Sequence, residues 1–421
     1  MQKMLYWIWL SCACTPDSST YEKLLSRFDS PEQIYAADED ALRRAVGTRC
    51  GDFTALLDKD LTAAKELLDF CLKKKIGLLT RDDERFPDAL RNIPHPPVML
   101  YYRGKLPDFN TELCVSVVGA RHMSEYGRRC AFRISTDLAT AGALIVSGMA
   151  RGIDAVAAAG AIYAGRPTVA VLGSGIDICY PKEHLTLARR IVEDGCVLTE
   201  FPPHTPPHGY HFPKRNRIIS GLSVATVVIE GNERSGSLLT ARHATAQGRD
   251  VYALPGSVDS PMSFVPNLLL RNGAKSLTCA DDMIRDYENV YLGKLNPFLL
   301  SPNTDYPVEK TLDTLGISYI KKTKGKHVHP EGEEAPVAPH PPSDSESPYS
   351  EAPEVPVADF EGFDEEAVAL YQKIPLETEI AIEALCDELH PLRKTMKLLL
   401  KLEMGRFVTI LPGERVKRNF K

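Results

Sequence analysis

The amino-acid sequence predicts an α/β protein built on a doubly wound, mostly parallel sheet, preceded by a small helical domain and followed by a winged helix. Three features predict it. Seven short apolar runs rich in β-branched residues recur between residues 76 and 290, as buried parallel strands do. Amphipathic or alanine-rich segments of helical length separate them, the pattern of right-handed crossovers. Beyond a stretch rich in Pro, Glu and Ser, helical periodicity returns and ends in a paired strand pattern.

Residues 1–75 alternate short helical patterns with polar turns, and "SPEQIYAADEDALRRAVG" has the Ser-Pro start and Gly stop of one short helix. The opening "MQKMLYWIWLSCACT" resembles a short signal segment, but its apolar core is brief and weakly basic and leads into an amphipathic pattern. In residues 76–290 the expected strands are "VSVVG", "ALIVSG", "TVAVLG", "CVLTE", "ATVVIE", "DVYALPG" and "KSLT". Residues 291–359 are expected to form a flexible linker, because "GKHVHPEGEEAPVAPHPPSDSESPYSEAPEVPVADF" buries too little apolar surface to offset its ordering entropy. Residues 360–421 carry three helical patterns, "DEEAVALYQKI", "IAIEALCDELH" and "PLRKTMKLLLKLEMG", and then "RFVTILPGERVKR" as a β-wing.

Composition narrows the function classes. A net charge of −6 gives the whole chain no general affinity for nucleic acid, so any such role rests on local basic clusters. Ten cysteines without a CxxC pair indicate neither a zinc site nor a disulfide framework, and a reducing cytoplasm is the expected location. No apolar run reaches the ~18 residues of a membrane span, so no membrane partner is expected.

In a doubly wound sheet, ligands bind outside the carboxyl ends of the strands. Here those ends repeat one composition: Gly119 and Arg121 after the first run, Ser147, Gly148 and Arg151 after the second, Ser174 and Gly175 after the third. A fourth loop, "EGNERSGSLLTA", opens a helix with Ser235, Gly236 and Ser237. Glycines admit close approach, hydroxyls and free N–H groups bind anions, and arginine adds charge, so this edge suits phosphate. Tight βα turns alone would account for any single loop; four loops of like composition favour the anion site. "GARHMS" is not GxGxxG, and no acid follows "ALIVSG" to hold a ribose, so a dinucleotide cofactor is not expected.

The segment "HFPKRNRIISGLS" places Lys214, Arg215, Asn216 and Arg217 before an apolar helix pattern. Such a cluster is either a solvated basic turn or a split set, with one cation on a phosphate and another paired internally with Glu200 or Glu230. His204, His208 and His211 stand among prolines that forbid a shared helical face, so no metal is expected. Neither GxSxG nor HExxH occurs, and the domain reads as binding rather than catalysing.

Taken together, "VVGARHMSEYG", "SGMARGID", "VLGSGIDICYP", "FPKRNRIISGLS", "EGNERSGSLLTA" and "PNLLLRNGA" resemble the DNA-processing protein A (DprA/Smf) family, over roughly residues 76–287. The resemblance implies an extended Rossmann-like domain with a SAM-like helical domain before it. It also implies a cytoplasmic, non-enzymatic homodimer that binds and protects single-stranded DNA, without a cofactor, and helps load the RecA recombinase during natural transformation. It carries phosphate contacts onto Arg121 and, after the Tyr-Pro motif, Lys182. Two positions depart from the family pattern: Ala158 where a histidine usually follows the GID segment, and Pro266 before Asn267. The segment "CTPDSSTYEKLL" lacks the Gly-rich turn of a DNA-binding hairpin, so no DNA contact is assigned there.

Between Arg393 and Lys421 nine basic residues face two acids. Arg393, Lys394, Lys397 and Lys401 could contact phosphates from a winged helix, or form the solvated face of a protein-binding one. Two other function classes are a phosphoribohydrolase on a related fold and a nucleotide-sensing module; the former needs an acid where "ERSGSLLTARHA" offers Leu, Thr and Arg. Few aromatics interleave with the basic motifs along the chain, so base stacking is expected to be modest.

Overall fold

The computed structural model describes residues 2–300 and 305–319, and beyond them 370, 371, 374, 380, 381, 385, 395, 398, 399, 402, 408–411 and 415–418. The chain divides into two compact units, Met1–Lys326 and His327–Lys421, which are described separately.

The first unit opens with six helices: α1 (Gln2–Ala13), α2 (Thr20–Leu25), α3 (Pro31–Ala36), α4 (Glu39–Val46), α5 (Phe53–Leu57) and α6 (Thr62–Lys73). Helix α1 buries Trp7, Ile8, Trp9 and Leu10, and its Ser11 hydroxyl meets the Tyr101 hydroxyl at 3.0 Å. The stretch expected to be one helix is two. Asp38 takes an extended conformation and its carboxylate accepts from the Ala41 N–H at 2.7 Å, so a fresh N-cap interrupts the pattern between α3 and α4.

The sheet follows. Its strands are β1 (Gly77–Thr80), β2 (Met99–Gly104), β3 (Cys114–Val118), β4 (Leu144–Ser147), β5 (Thr168–Val171), β6 (Cys196–Thr199), β7 (Ala225–Val228), β8 (Asp250–Ala253) and β9 (Lys275–Ser276). Their spatial order is β1-β2-β6-β5-β4-β3-β7-β8-β9. All seven expected runs are strands, β3 to β9, and each pairs in parallel with its neighbours in that set. β1 and β2 add an antiparallel edge that the sequence reading did not anticipate.

Helices α7 (Asp88–Arg91), α8 (Glu125–Thr140), α9 (Ile153–Tyr163), α10 (Leu185–Asp194), α11 (His211–Gly221), α12 (Ser237–Ala246), α13 (Phe264–Arg271) and α14 (Asp281–Tyr287) cover the sheet. Alternation along the strands separates two cores. Val115 and Val117 of β3 join α8, α9 and α10 on one side, whereas Cys114 and Val118 join α11, α12 and α13 on the other. Pro266, a departure from the family pattern, sits in the first turn of α13, where a missing N–H costs little. Ala158 is buried within α9.

Two contacts tie the unit together. Arg217 of α11 donates from Nη1 and Nη2 to the two carboxylate oxygens of Glu200 at 2.6 and 2.7 Å, and from Nε to the His95 carbonyl at 2.8 Å. Asp17, between α1 and α2, lies 3.5 Å from the same guanidinium, so one buried arginine links the helices to the end of β6. The second contact corrects the expected linker. Part of its range, residues 305–319, forms helix α15 (Val308–Thr314) against α9 and buries Leu312, Leu315 and Ile317. Tyr306 donates to Asp137 at 2.5 Å, and Arg128 pairs with Glu309 at 3.1 Å and lies 4.4 Å over the Tyr319 ring.

In the second unit the described residues include three antiparallel strands, β10 (Ile380–Ala381), β11 (Val408–Leu411) and β12 (Arg415–Arg418), in the order β10-β12-β11. β11 and β12 form the strand pair expected in "RFVTILPGERVKR". Leu370, Ile374, Leu385, Leu399, Leu402, Val408 and Val416 make its small core.

The two tryptophans, Trp7 and Trp9, both lie in α1 and report on unfolding of the first unit. In urea titrations followed by their fluorescence, Glu200→Ala is expected to lose about 3–5 kcal/mol, because it strands a buried guanidinium. The double replacement of Glu200 and Arg217 by apolar residues should recover most of that loss. Leu312→Ala is expected to cost about 2–5 kcal/mol. A loss below about 0.5 kcal/mol, the range of ordinary surface substitutions, would show that residues 305–319 add nothing to the core.

Candidate nucleic-acid interface

Strand order runs outward from β3 through β4, β5 and β6 on one side and through β7, β8 and β9 on the other. It therefore reverses between β3 and β7, where a doubly wound sheet leaves a crevice. A cleft of about 420 Å³ opens there, lined by Gly119 and Arg121 after β3, Phe212 and Asn216 of α11, and Asn232, Arg234, Ser235, Gly236 and Ser237 at the start of α12. A smaller recess on the other side of Arg121 is lined by Gly148, Arg151, Ser174 and Tyr180.

Local sequence builds both walls. Ser124 caps α8 by accepting from the Gly127 N–H at 3.0 Å, and its own N–H and hydroxyl donate to the Glu230 carboxylate at the end of β7. Any side chain at position 127 would collide with that carboxylate, which explains the glycine of "SEYG". The floor is Arg215. Its Nη1 donates to the Gly148 carbonyl at 2.8 Å and to the Val171 carbonyl, and a Cβ at position 148 would overlap the guanidinium. Burial pulls the Arg215 pKa down to about 10, against the opposing attraction of Asp154. Burial raises the Asp154 pKa, while Arg215 and Arg121 pull it back.

The expected site residues separate into those facing outward and those used inside. Arg121 is exposed, stands 5.2 Å over the Phe212 ring, and makes no hydrogen bond or salt bridge among the described residues. Lys182, exposed at the start of a short 3-10 turn, likewise has no partner among them, and the Lys214 ammonium has none. Ser235 and Ser237 share a hydroxyl contact at 2.8 Å beside Gly236, at the N-terminus of α12. Asn216 lines the cleft and accepts from Arg215 Nε at 3.2 Å.

Other expected phosphate contacts are committed elsewhere. Arg217 is 1% exposed and held by Glu200, which fulfils the internal half of the split expected for this basic cluster. Arg215 is enclosed in the same way by carbonyl oxygens. The Ser147 hydroxyl is buried and donates to the Val117 carbonyl at 2.7 Å, and that of Ser174 points to the Ile178 carbonyl at 3.4 Å. The Gly175 N–H is taken by the Thr205 carbonyl at 2.8 Å. Arg151 is exposed but paired with Glu183 at 2.5 Å. Arg393, Lys394, Lys397 and Lys401 lie outside the described residues.

The three histidines also diverge. His204 pairs with Asp177 at 2.8 Å, while His211 meets the Gly173 carbonyl at 3.2 Å and has its pKa lowered chiefly by burial. No group of three or more potential metal ligands occurs among the described residues. Sequence reasoning missed Asp154, Phe212 and Arg234, which all line the cleft. Arg234 sits inside the quoted "NERSG" loop, so its position was a usable signal. Asp154 and Phe212 likewise stand inside "SGMARGID" and "HFPKRNRIISGLS", and the packing of α9 and α11 brings them to the cleft.

Comparison with known proteins agrees with this geometry. The family model described as DNA recombination-mediator protein A matches residues 77–288. "DNA processing protein DprA" of Bacillus subtilis is 36% identical over 223 residues, covering 53% of this chain and 75% of that protein. "Protein Smf" of Escherichia coli is 41% identical over 217 residues, covering 51% and 57% respectively. The X-ray structure of DNA processing protein A from Streptococcus pneumoniae superposes with a TM-score of 0.57 at 31% identity, covering 68% of this chain and 98% of that one. The matched segment contains the whole parallel sheet, the switch-point cleft and the Arg215 floor, and this chain belongs to the DprA/Smf family of DNA recombination-mediator proteins.

Proposed function

We propose that the switch-point cleft binds the phosphate backbone of single-stranded DNA and that the chain acts as a non-enzymatic recombination mediator. One observation carries this reading. The cations that reach the surface, Arg121, Lys182 and Lys214, have no anionic partner among the described residues, whereas the cations behind them are neutralised or enclosed. Exposed, unpaired cations beside a helix N-terminus and paired serines suit a chain of phosphodiesters. Homodimerisation, loading of RecA during natural transformation, and a cytoplasmic setting belong to the same proposal and rest on family membership. No helix among the described residues is long and apolar enough to cross a membrane.

The same proposal divides the chain into a SAM-like helical domain over residues 1–75, a Rossmann-like DNA-binding domain over 76–290 and a winged helix over 360–421. The Pro- and acid-rich stretch between them serves as the tether. On this division the winged helix contributes a separate contact to DNA or protein through Arg393, Lys394, Lys397 and Lys401.

Fluorescence anisotropy of a labelled oligonucleotide across a salt series tests the central part. Single strands should bind more tightly than duplex. The log-log salt slope should be about −0.7 for each phosphate neutralised. Arg121→Ala and Lys182→Ala should each weaken binding and flatten that slope by about 0.7, while a chain ending at residue 350 should bind nearly as well as the full chain. Duplex preference that disappears on truncation would move the interface to the C-terminal unit.

A further inference from the structure

We propose that Tyr210, braced by His208 and His211, is a stacking ledge for the nucleobases of a single strand whose phosphates occupy the adjoining cleft. This inference rests on the single-stranded DNA reading above and adds a recognition element to it.

Tyr210 is unusual among the aromatic residues of the first unit. It is 61% exposed, and its hydroxyl makes no hydrogen bond among the described residues. Yet the ring is firmly oriented. It stacks on the His208 ring, with centroids 5.5 Å apart and planes 9° from parallel. Its edge meets the His211 ring at 4.5 Å and 77°. His211 is itself buried, packed 4.3 Å from Phe201 and held at the Gly173 carbonyl. A buried imidazole therefore fixes the direction of an exposed phenol.

The loop that carries the ring is also preorganised. The Thr205 hydroxyl donates to the Pro202 carbonyl at 2.6 Å, and the His204 N–H donates to Asp177 at 2.8 Å. The His211 N–H then closes the turn onto the His208 carbonyl at 3.0 Å. Pro206 and Pro207 restrict the remaining backbone. Such a loop presents an aromatic face without losing much conformational entropy when something stacks on it.

Position selects the occupant. Gly209 and Phe212, on either side of the ledge in sequence, both line the cleft, and Phe212 supports the Arg121 guanidinium. Lys214 follows one turn later along α11. The rings of His208, Tyr210 and Phe212 thus lead directly into the cation Lys214 in a single segment. Single-stranded nucleic acid is recognised by this combination, with cations following the backbone while bases stack on aromatic rings whatever their identity. An apolar protein partner would gain nothing from the neighbouring unpaired cations.

The test uses the full chain, a dT oligonucleotide and an abasic oligonucleotide of the same length, with affinities read by anisotropy over a salt series. Tyr210→Ala should weaken binding of dT about tenfold, the loss of roughly one stacked base. It should leave the abasic strand and the salt slope unchanged, and Tyr210→Phe should restore affinity for dT. Because the ring is exposed, neither substitution threatens folding. Equal affinities of wild type and Tyr210→Ala for dT would overturn the ledge alone. An equal loss on dT and abasic strands would also overturn it, assigning Tyr210 to the backbone or to loop shape. Failure of the wild-type chain to bind either strand would instead overturn the reading beneath it.

Discussion

The cleft depends on a buried arginine. Arg215 joins the carbonyls that follow β4 and end β5 to helix α11, with Asp154 of α9 close enough to balance its charge. Removing a guanidinium from water is tolerable only where carbonyl oxygens and a counter-charge replace its hydration. Gly148 admits it because no Cβ competes for the space. Strand ends, α9 and α11 are consequently fixed relative to one another. The loops that line the crevice inherit that geometry.

Once Arg215 and Arg217 are satisfied inside, the remaining positive charge is at the mouth. Arg121 cannot move inward towards a second guanidinium without repulsion, and the Phe212 ring gives it a face on which to rest. Lys182 and Lys214 extend the charge along the same edge. The result is a surface with rigid supports and cations unpaired among the described residues, an arrangement suited to an anion with little reorganisation. Glu230 contributes from behind, holding the start of α8 to the end of β7 so that the crevice keeps its width.

Much of the sheet was readable in the sequence because parallel central strands are buried on both faces and appear as continuous apolar runs. All seven such runs became β3 to β9. β1 and β2 escaped notice because "GLLT" and "MLYYRG" lack the bounded β-branched signature. Residues 305–319 were lost in a compositional average dominated by the Pro-rich stretch beyond them, although Leu312 and Leu315 stand three residues apart as one helix face requires. Sequence identified loops that line the cleft but not the direction of each side chain. Ser147 and Ser174 sit at strand ends as expected, yet their hydroxyls turn inward to carbonyls. Folding brings the Tyr180 and Phe212 rings together beside Arg121.

The most direct test is photo-crosslinking of the full chain to a single strand carrying a photoreactive thymine analogue, with attachment sites located by peptide mass spectrometry. Crosslinks should concentrate in peptides containing residues 119–126 and 208–217, and excess unlabelled single strand should suppress them. Crosslinks confined to residues 393–421, with the switch-point peptides unmodified, would contradict a DNA interface at the cleft.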